Sequence, residues 1–356
     1  MGALLVMLGG GGMALFHSAD RGTGMAVWGM IGAVIVIGGL WLLRLLYYRV
    51  SAHNARLYDQ LVEQQRQEWW KQHQQHFSLG EVVLLGPVGT DIGHWLRLLR
   101  REHRPPEVKY EASGKALRTA RTMQGTADER EVQLAKMLAL QWQSQRVKSP
   151  LPLLKQCYWQ GSLLSWQAFC EQVQATFPDF ALPEVPLAWR GEASLSALAA
   201  ESSTLTADSA ILVAGCQSLT ASFSDVQPAG ESAALWLVGK EGPVCLARGE
   251  FYNINEQGSL SDVSKRALKQ SNIDDVPETC ILFSQPELPE LAQSGWNVVH
   301  HIQDLNWGNP GEMEMLITLS LAALYAHHYQ EPCGWIAKDT LHTLALGIVK
   351  PYGEGK

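Results

Sequence analysis

A chain of 356 residues with 28 Lys and Arg against 35 Asp and Glu has a formal charge of −7 and the length of about two ordinary domains. At 46% apolar and 18% charged it is too aliphatic for a disordered protein, and its acidic balance argues against a nucleic-acid binder. Six scattered cysteines (Cys157, Cys170, Cys216, Cys245, Cys280, Cys333) with no CxxC spacing exclude a disulfide scaffold and a zinc ribbon.

A mean hydropathy of −0.06 conceals an uneven distribution. Met25 to Leu43 holds nineteen residues without a charge. As a helix rising about 1.5 Å per residue it nearly matches a bilayer core of about 30 Å, so a membrane span is expected here. Trp28, Trp41, Tyr47 and Tyr48 stand near its ends, where aromatic rings favour the interface. Gly2 to Phe16 is also uncharged and reads as a second span or an interfacial segment; no Lys or Arg precedes it, as a signal peptide requires.

Arg44, Arg49, Arg56, Arg66 and Lys71 follow the span, against Arg21 alone between the two apolar runs. The positive-inside rule therefore expects the bulk of the chain in the cytoplasm. Residues 1–149 carry 18 basic and 12 acidic side chains, whereas residues 150–356 carry 10 and 23. Basic charge near the span is favoured by an anionic inner leaflet. Val50 to Phe77, rich in Gln, reads as a continuation of the helix into a polar stalk, with no sustained heptad across that stretch. The expected organisation is an anchor over 1–48, a stalk over 49–78 and a body over 79–356.

The body opens with the strand-like EVVLLG from Glu81, a glycine turn, and the amphipathic HWLRLLRRE. Further helices are expected over Ala127–Gln145, Ser162–Phe177, Ala193–Ala200, Ser259–Ser271 and Gly311–His327. Strands are expected over Ala210–Gly215, Ala233–Val238, Val244–Phe251, Cys280–Phe283, Trp335–Lys338 and Leu344–Tyr352. Near-continuous aliphatic strands between helices indicate an α/β body whose sheet is covered on both faces.

The order of these pieces resembles the thiolase-like fold of the β-ketoacyl synthases over about residues 80–352. The strand Asp208–Gly215 followed by Gly230-Glu231-Ser232-Ala233-Ala234 is similar to that family's strand and Gly-Glu-Gly-Ala-Ala motif. Ser259–Ser271, Cys280–Gln285 and Asp304–Ala326 resemble its following helix and two histidine-bearing turns. The resemblance implies a layered αβαβα body. It also implies a thiolate at a helix head and either two histidines or a His/Asn pair, and no cysteine or histidine stands at the matching positions. The nucleophile window Leu187–Ser194 holds no cysteine, and the expected histidine turns read Ser284-Gln285-Pro286 and Asn306-Trp307-Gly308-Asn309-Pro310.

No catalytic, cofactor or metal residue is therefore expected. His300–His301, at an expected strand end, makes a poor chelate because neighbouring strand residues face opposite ways, and it and His327–His328, at a helix end, read as capping or surface residues. Gly86–Gly93 lacks the spacing of a phosphate loop, and Cys216 reads as a core residue. The general plan is similar to the lipase adaptors of bacterial type VI secretion. It implies an inner-membrane adaptor whose partners are membrane lipid, an effector or secretion component, and a second copy of the body. The rival reading is an acyl-transfer enzyme at the membrane surface with a displaced nucleophile such as Cys216.

Overall fold

The computed structural model describes residues 22–119, 125–146, 151–255, 258–286, 288–339 and 342–352, with the side chains of 22–27 excepted. Gly2–Phe16 lies outside them. The chain divides into two compact units, Met1–Trp69 and Trp70–Lys356.

Helix α1 (Gly22–His73) fills the described part of the first unit. Its apolar stretch is a candidate membrane span with a mean hydropathy of 2.1 over its best window and none of that window buried. The last turn belongs to the second unit, where Lys269 Nζ sits 4.0 Å above the Trp70 ring. The helical stalk ends earlier than expected. Strand β1 (His76–Leu85) begins inside it, because Phe77 and Leu79 are fully buried and alternate with polar neighbours at the strand period.

The second unit then runs α2 (Ile92–Leu99), the hairpin β2 (Lys109–Glu111) and β3 (Gly114–Ala116), α3 (Ala127–Gln145), β4 (Leu153–Gln160), α4 (Leu163–Thr176), β5 (Leu187–Ala188), α5 (Glu192–Ser202), β6 (Ser209–Ser218) and β7 (Glu231–Gly239). It continues through β8 (Val244–Ala247), β9 (Glu250–Tyr252), α6 (Leu260–Ser271), β10 (Cys280–Leu282), α7 (Pro289–Gln293), β11 (His301–Ile302), α8 (Asp304–Trp307), α9 (Glu314–Tyr329), β12 (Cys333–Ala337) and β13 (Leu344–Pro351). Local chemistry explains several boundaries. Thr126 and Glu129 form a reciprocal capping box on α3, and Ser162 and Ser259 cap α4 and α6. The single strand expected over Val244–Phe251 is two, because Gly249 turns through φ +83° between them.

One sheet orders its strands β11-β10-β12-β13-β8-β1-β7-β6-β4-β5, with β9 also pairing β13. Numbered within each half of the chain, β1, β4, β5, β6, β7 and β8, β10, β11, β12, β13 have the same order, 3-2-4-5-1. In both halves strands 3, 2 and 4 are parallel, and strand 5 runs antiparallel to strands 4 and 1. The two first strands, β1 and β8, join the halves in antiparallel register. The body is thus a structural duplication.

Strand alternation sorts the core into layers. Ile211, Val213 and Trp236 from the first half, and Ile281, Trp335 and Ala345 from the second, enclose a central cluster with α5 and α9. On the outer faces, Leu212 and Leu235 pack against α3 and α4, and Leu346 and Ile348 against α6. This is the expected αβαβα arrangement. Helix α9 is buried on nearly every side, as its apolar run requires.

Candidate functional site

The duplication brings equivalent chain segments together at the strand ends. The head of α5, reached from β5 through Trp189-Arg190-Gly191, and the head of α9, reached through Asn309-Pro310-Gly311-Glu312, both line one cavity of about 660 Å³. Gln160 from the end of β4 and Phe283-Ser284 from the end of β10 line it as well, as do Lys338 and Asp339 after β12. Ligands of α/β sheets commonly bind at such carboxyl ends of strands.

Each wall has a physical cause. Gly191 starts α5 at φ +50°, a conformation that strains residues bearing a Cβ, and Asp339 Oδ1 stands 2.7 Å from where that Cβ would be. Gly311 has φ +56° and leaves room for Gln217, whose Oε1 accepts the Glu312 N–H at 2.9 Å. Gln160 Nε2 donates to Glu312 Oε2 across the mouth at 2.5 Å. The Asn309 turn is held by the Gly311 N–H on Asn309 Oδ1 at 2.9 Å and by the Asn309 N–H on Pro228 O at 2.8 Å. Behind it Trp307 stacks on Trp95 at 5.5 Å between ring centres.

The chemistry is that of carboxylates and amides. Glu314 lies buried in the first turn of α9 and accepts the Lys338 N–H at 2.8 Å. Burial pushes its pKa up, against that hydrogen bond and the Lys338 charge. Asp339 Oδ2 pairs with His342 Nδ1 at 2.7 Å, and His342 Nε2 lies 3.5 Å from Glu192 Oε2. Among the described residues, none that lines the cavity is Cys or His. Ser284, Glu314 and Lys338 also line an adjoining cavity of about 520 Å³ with Gln285, Pro286, Ile336 and Leu344.

The window Leu187–Ser194 and the segments Ser284–Pro286 and Asn309–Pro310 therefore meet here, whereas Asn306 and Trp307 are buried behind the wall. Asp339 and Glu314 were not legible as site residues. Only the charges within GEMEMLITLSLAAL, an otherwise apolar helix, signalled Glu314.

The cysteines lie elsewhere. Burial pushes Cys157 and Cys170 up to about 12 and raises Cys216, Cys245, Cys280 and Cys333 as well. Cys216 is fully buried in the first outer cluster, as a core residue. His300 is exposed, while His301 is buried beside Tyr325, and burial with Arg101 and His300 nearby lowers it to about 4. Among the described residues no group of three His, Cys, Asp or Glu has a metal-holding arrangement. At Gly86 and Gly89 the rings of Trp307 and His94 fill the space a Cβ would need, so these glycines serve packing.

A second cluster lies beneath the motif Gly230–Ala234. Glu231, with its side chain 0% exposed, receives Arg130 Nε at 3.0 Å, the Ser218 hydroxyl at 2.9 Å and the Thr119 N–H at 3.1 Å. Arg118 Nη1 lies 3.6 Å away, and the Nε and Nη2 of the same guanidinium donate to the two Glu111 carboxylate oxygens at 2.7 and 2.8 Å. These ion pairs tie the β2–β3 hairpin and α3 to the sheet.

No family model matches the sequence, and no curated protein matches it. Among solved structures, the ishigamide ketosynthase/chain length factor aligns with TM-score 0.53 at 12% identity, covering 78% of this chain and 100% of that one. Ketosynthase twelve from the bacillaene polyketide synthase of Bacillus amyloliquefaciens aligns with TM-score 0.49 at 12% identity, covering 79% and 76%. The fold assignment rests on the first. The body has the thiolase-like fold.

Proposed function

We propose that this chain is a membrane-anchored adaptor whose thiolase-like body binds a protein partner and performs no condensation. The observation that carries the reading is the cavity at the heads of α5 and α9. In a condensing enzyme it needs a thiolate with two histidines or a His/Asn pair, and here its described walls include Gly191, Asn309, Glu314 and Asp339 but no Cys or His. A fold that keeps its core without those groups offers a rigid surface rather than a reaction. The anchor is the uncharged stretch Met25–Leu43, with the basic residues after it favouring a cytoplasmic body at the inner membrane. The general plan supports recruitment of an effector or component of a bacterial type VI secretion system.

The test is affinity purification of the full chain from the native cell in mild detergent, with a thiol-directed acyl-mimic probe applied to the same sample. Recovery of a secretion component or its cargo, with no cysteine labelled at neutral pH, is the expected result. Site-selective labelling of one cysteine would overturn the non-catalytic reading. Purification without any secretion component or effector would remove the adaptor role.

A further inference from the structure

Helix α1 carries an uncharged seam that runs out of the apolar stretch into the first half of Val50–Phe77 and stops where Glu68 and Lys71 take the same positions. Stepping alternately by four and three residues from Gly29, the chain reaches Gln64 without meeting a charged position. Past the expected span this seam takes Tyr47, Val50, Asn54, Leu57 and Leu61. Asn54 occupies the first core position (a) of its heptad, and Leu57 the second (d). The charges between Tyr47 and Gln67 are Arg49, Arg56, Asp59, Glu63 and Arg66. All fall at c or f, the positions facing away from a two-helix seam.

Among the described residues nothing covers this face: Val50, Leu57 and Leu61 are 50%, 43% and 59% exposed. Lipid covers the seam within a bilayer, but not beyond it. We infer that α1 pairs in parallel with α1 of a second copy of this chain.

Three observations select that occupant. A second copy inserted in the same membrane has the same direction and depth, so its seam lies level with this one without adjustment. An asparagine at a costs stability but favours two parallel strands, where equivalent side chains meet and hydrogen-bond each other. The flanking e and g positions from Ser51 to Gln65 are Ser51, His53, Tyr58, Gln60 and Gln65. Two identical helices therefore bring no like-charged residues together, whereas a different partner gains no charge complementarity there.

The inference rests on reading Met25–Leu43 as a span, and the test separates the two. Single cysteines are placed in the full chain at Val50, Leu57 and Leu61 on the seam, and at Arg56, Asp59 and Glu63 away from it. Membranes from expressing cells are oxidised, with the unaltered chain as the control for its own thiols. Disulfide-linked dimers are expected at the seam positions and lost at the outward ones. L57K with L61K in the V50C chain should abolish the remaining link. A chain that pellets with membranes yet links nowhere, or equally at all six positions, overturns the dimer and leaves the span standing. Seam-specific links in a soluble fraction support the dimer and overturn the span.

Discussion

Asp339 places a carboxylate oxygen 2.7 Å from the point where a side chain at Gly191 would begin. The head of α5, inside the window Leu187–Ser194 in which a condensing enzyme's nucleophile is expected, thus receives a carboxylate from the loop after β12. Placing a thiol there by Gly191→Cys meets both the oxygen and a backbone at φ +50° and ψ −116°, a conformation disfavoured for any residue with a Cβ that alone costs about 1–3 kcal/mol. The expected outcome is a lower melting temperature and no condensation of acyl thioesters. Gly191→Ala should lose similar stability, which separates the backbone cost from any thiol effect.

Glu231 neutralises two buried guanidinium groups, with the Arg118 and Arg130 side chains 4% and 9% exposed. Glu231→Ala leaves them without that carboxylate, a loss of about 3–5 kcal/mol for a broken buried pair. Urea unfolding should report it as a lower midpoint. An unchanged midpoint would show that Glu111 alone suffices to hold Arg118.

Glu314 is an acid whose ionisation the fold opposes. Because its folded pKa lies above the ordinary carboxylate value, the penalty is absent in acid and grows as pH rises through the folded value. Glu314→Gln keeps an acceptor for the Lys338 N–H and removes the charge. The variant is expected to gain stability at neutral pH and to match the parent below the carboxylate range, as urea midpoints measured across pH would show.

His301 works with the opposite proton balance. Its folded value of about 4 lies below the ordinary 6.5, so the unfolded chain binds more protons between them. Stability is complete above that window and declines as pH falls through it. His301→Phe should flatten the decline. His76, also held down by burial and the Lys350 charge, leaves a smaller residual slope in the variant.

How much of this was legible beforehand depended on how strongly each segment declared its period. Ala127–Gln145 matched at both ends, because a capping box precedes a run with helical spacing. Strand β4 escaped notice: LLKQCYWQ follows two prolines, and only Cys157, Tyr158 and Trp159 are buried. Strands β5 and β11 are two residues long and exist only through their partners. Of the candidate site, the order of the elements made three contributing segments legible, Leu187–Ser194, Ser284–Pro286 and Asn306–Pro310, the first and last of which supply Trp189 to Gly191 and Asn309–Pro310 to the cavity. Asp339 was not, because it reaches the head of α5 only through the sheet order that sets β12 within the second half.

That β1 lies at the middle of the sheet bears on how the body is made. Its edges wait for Glu231–Gly239 on one side and Val244–Ala247 on the other, both far behind it in synthesis. Until those strands emerge from the ribosome, Phe77 to Leu85 is an unpaired apolar segment, open to mispairing with any other nascent chain. Contacts this distant in sequence close slowly, so assembly of the body is set by the arrival of the fifth and sixth strands of its sheet, β7 and β8. A chain truncated before Val244 would therefore be prone to aggregate, however many of its helices had formed.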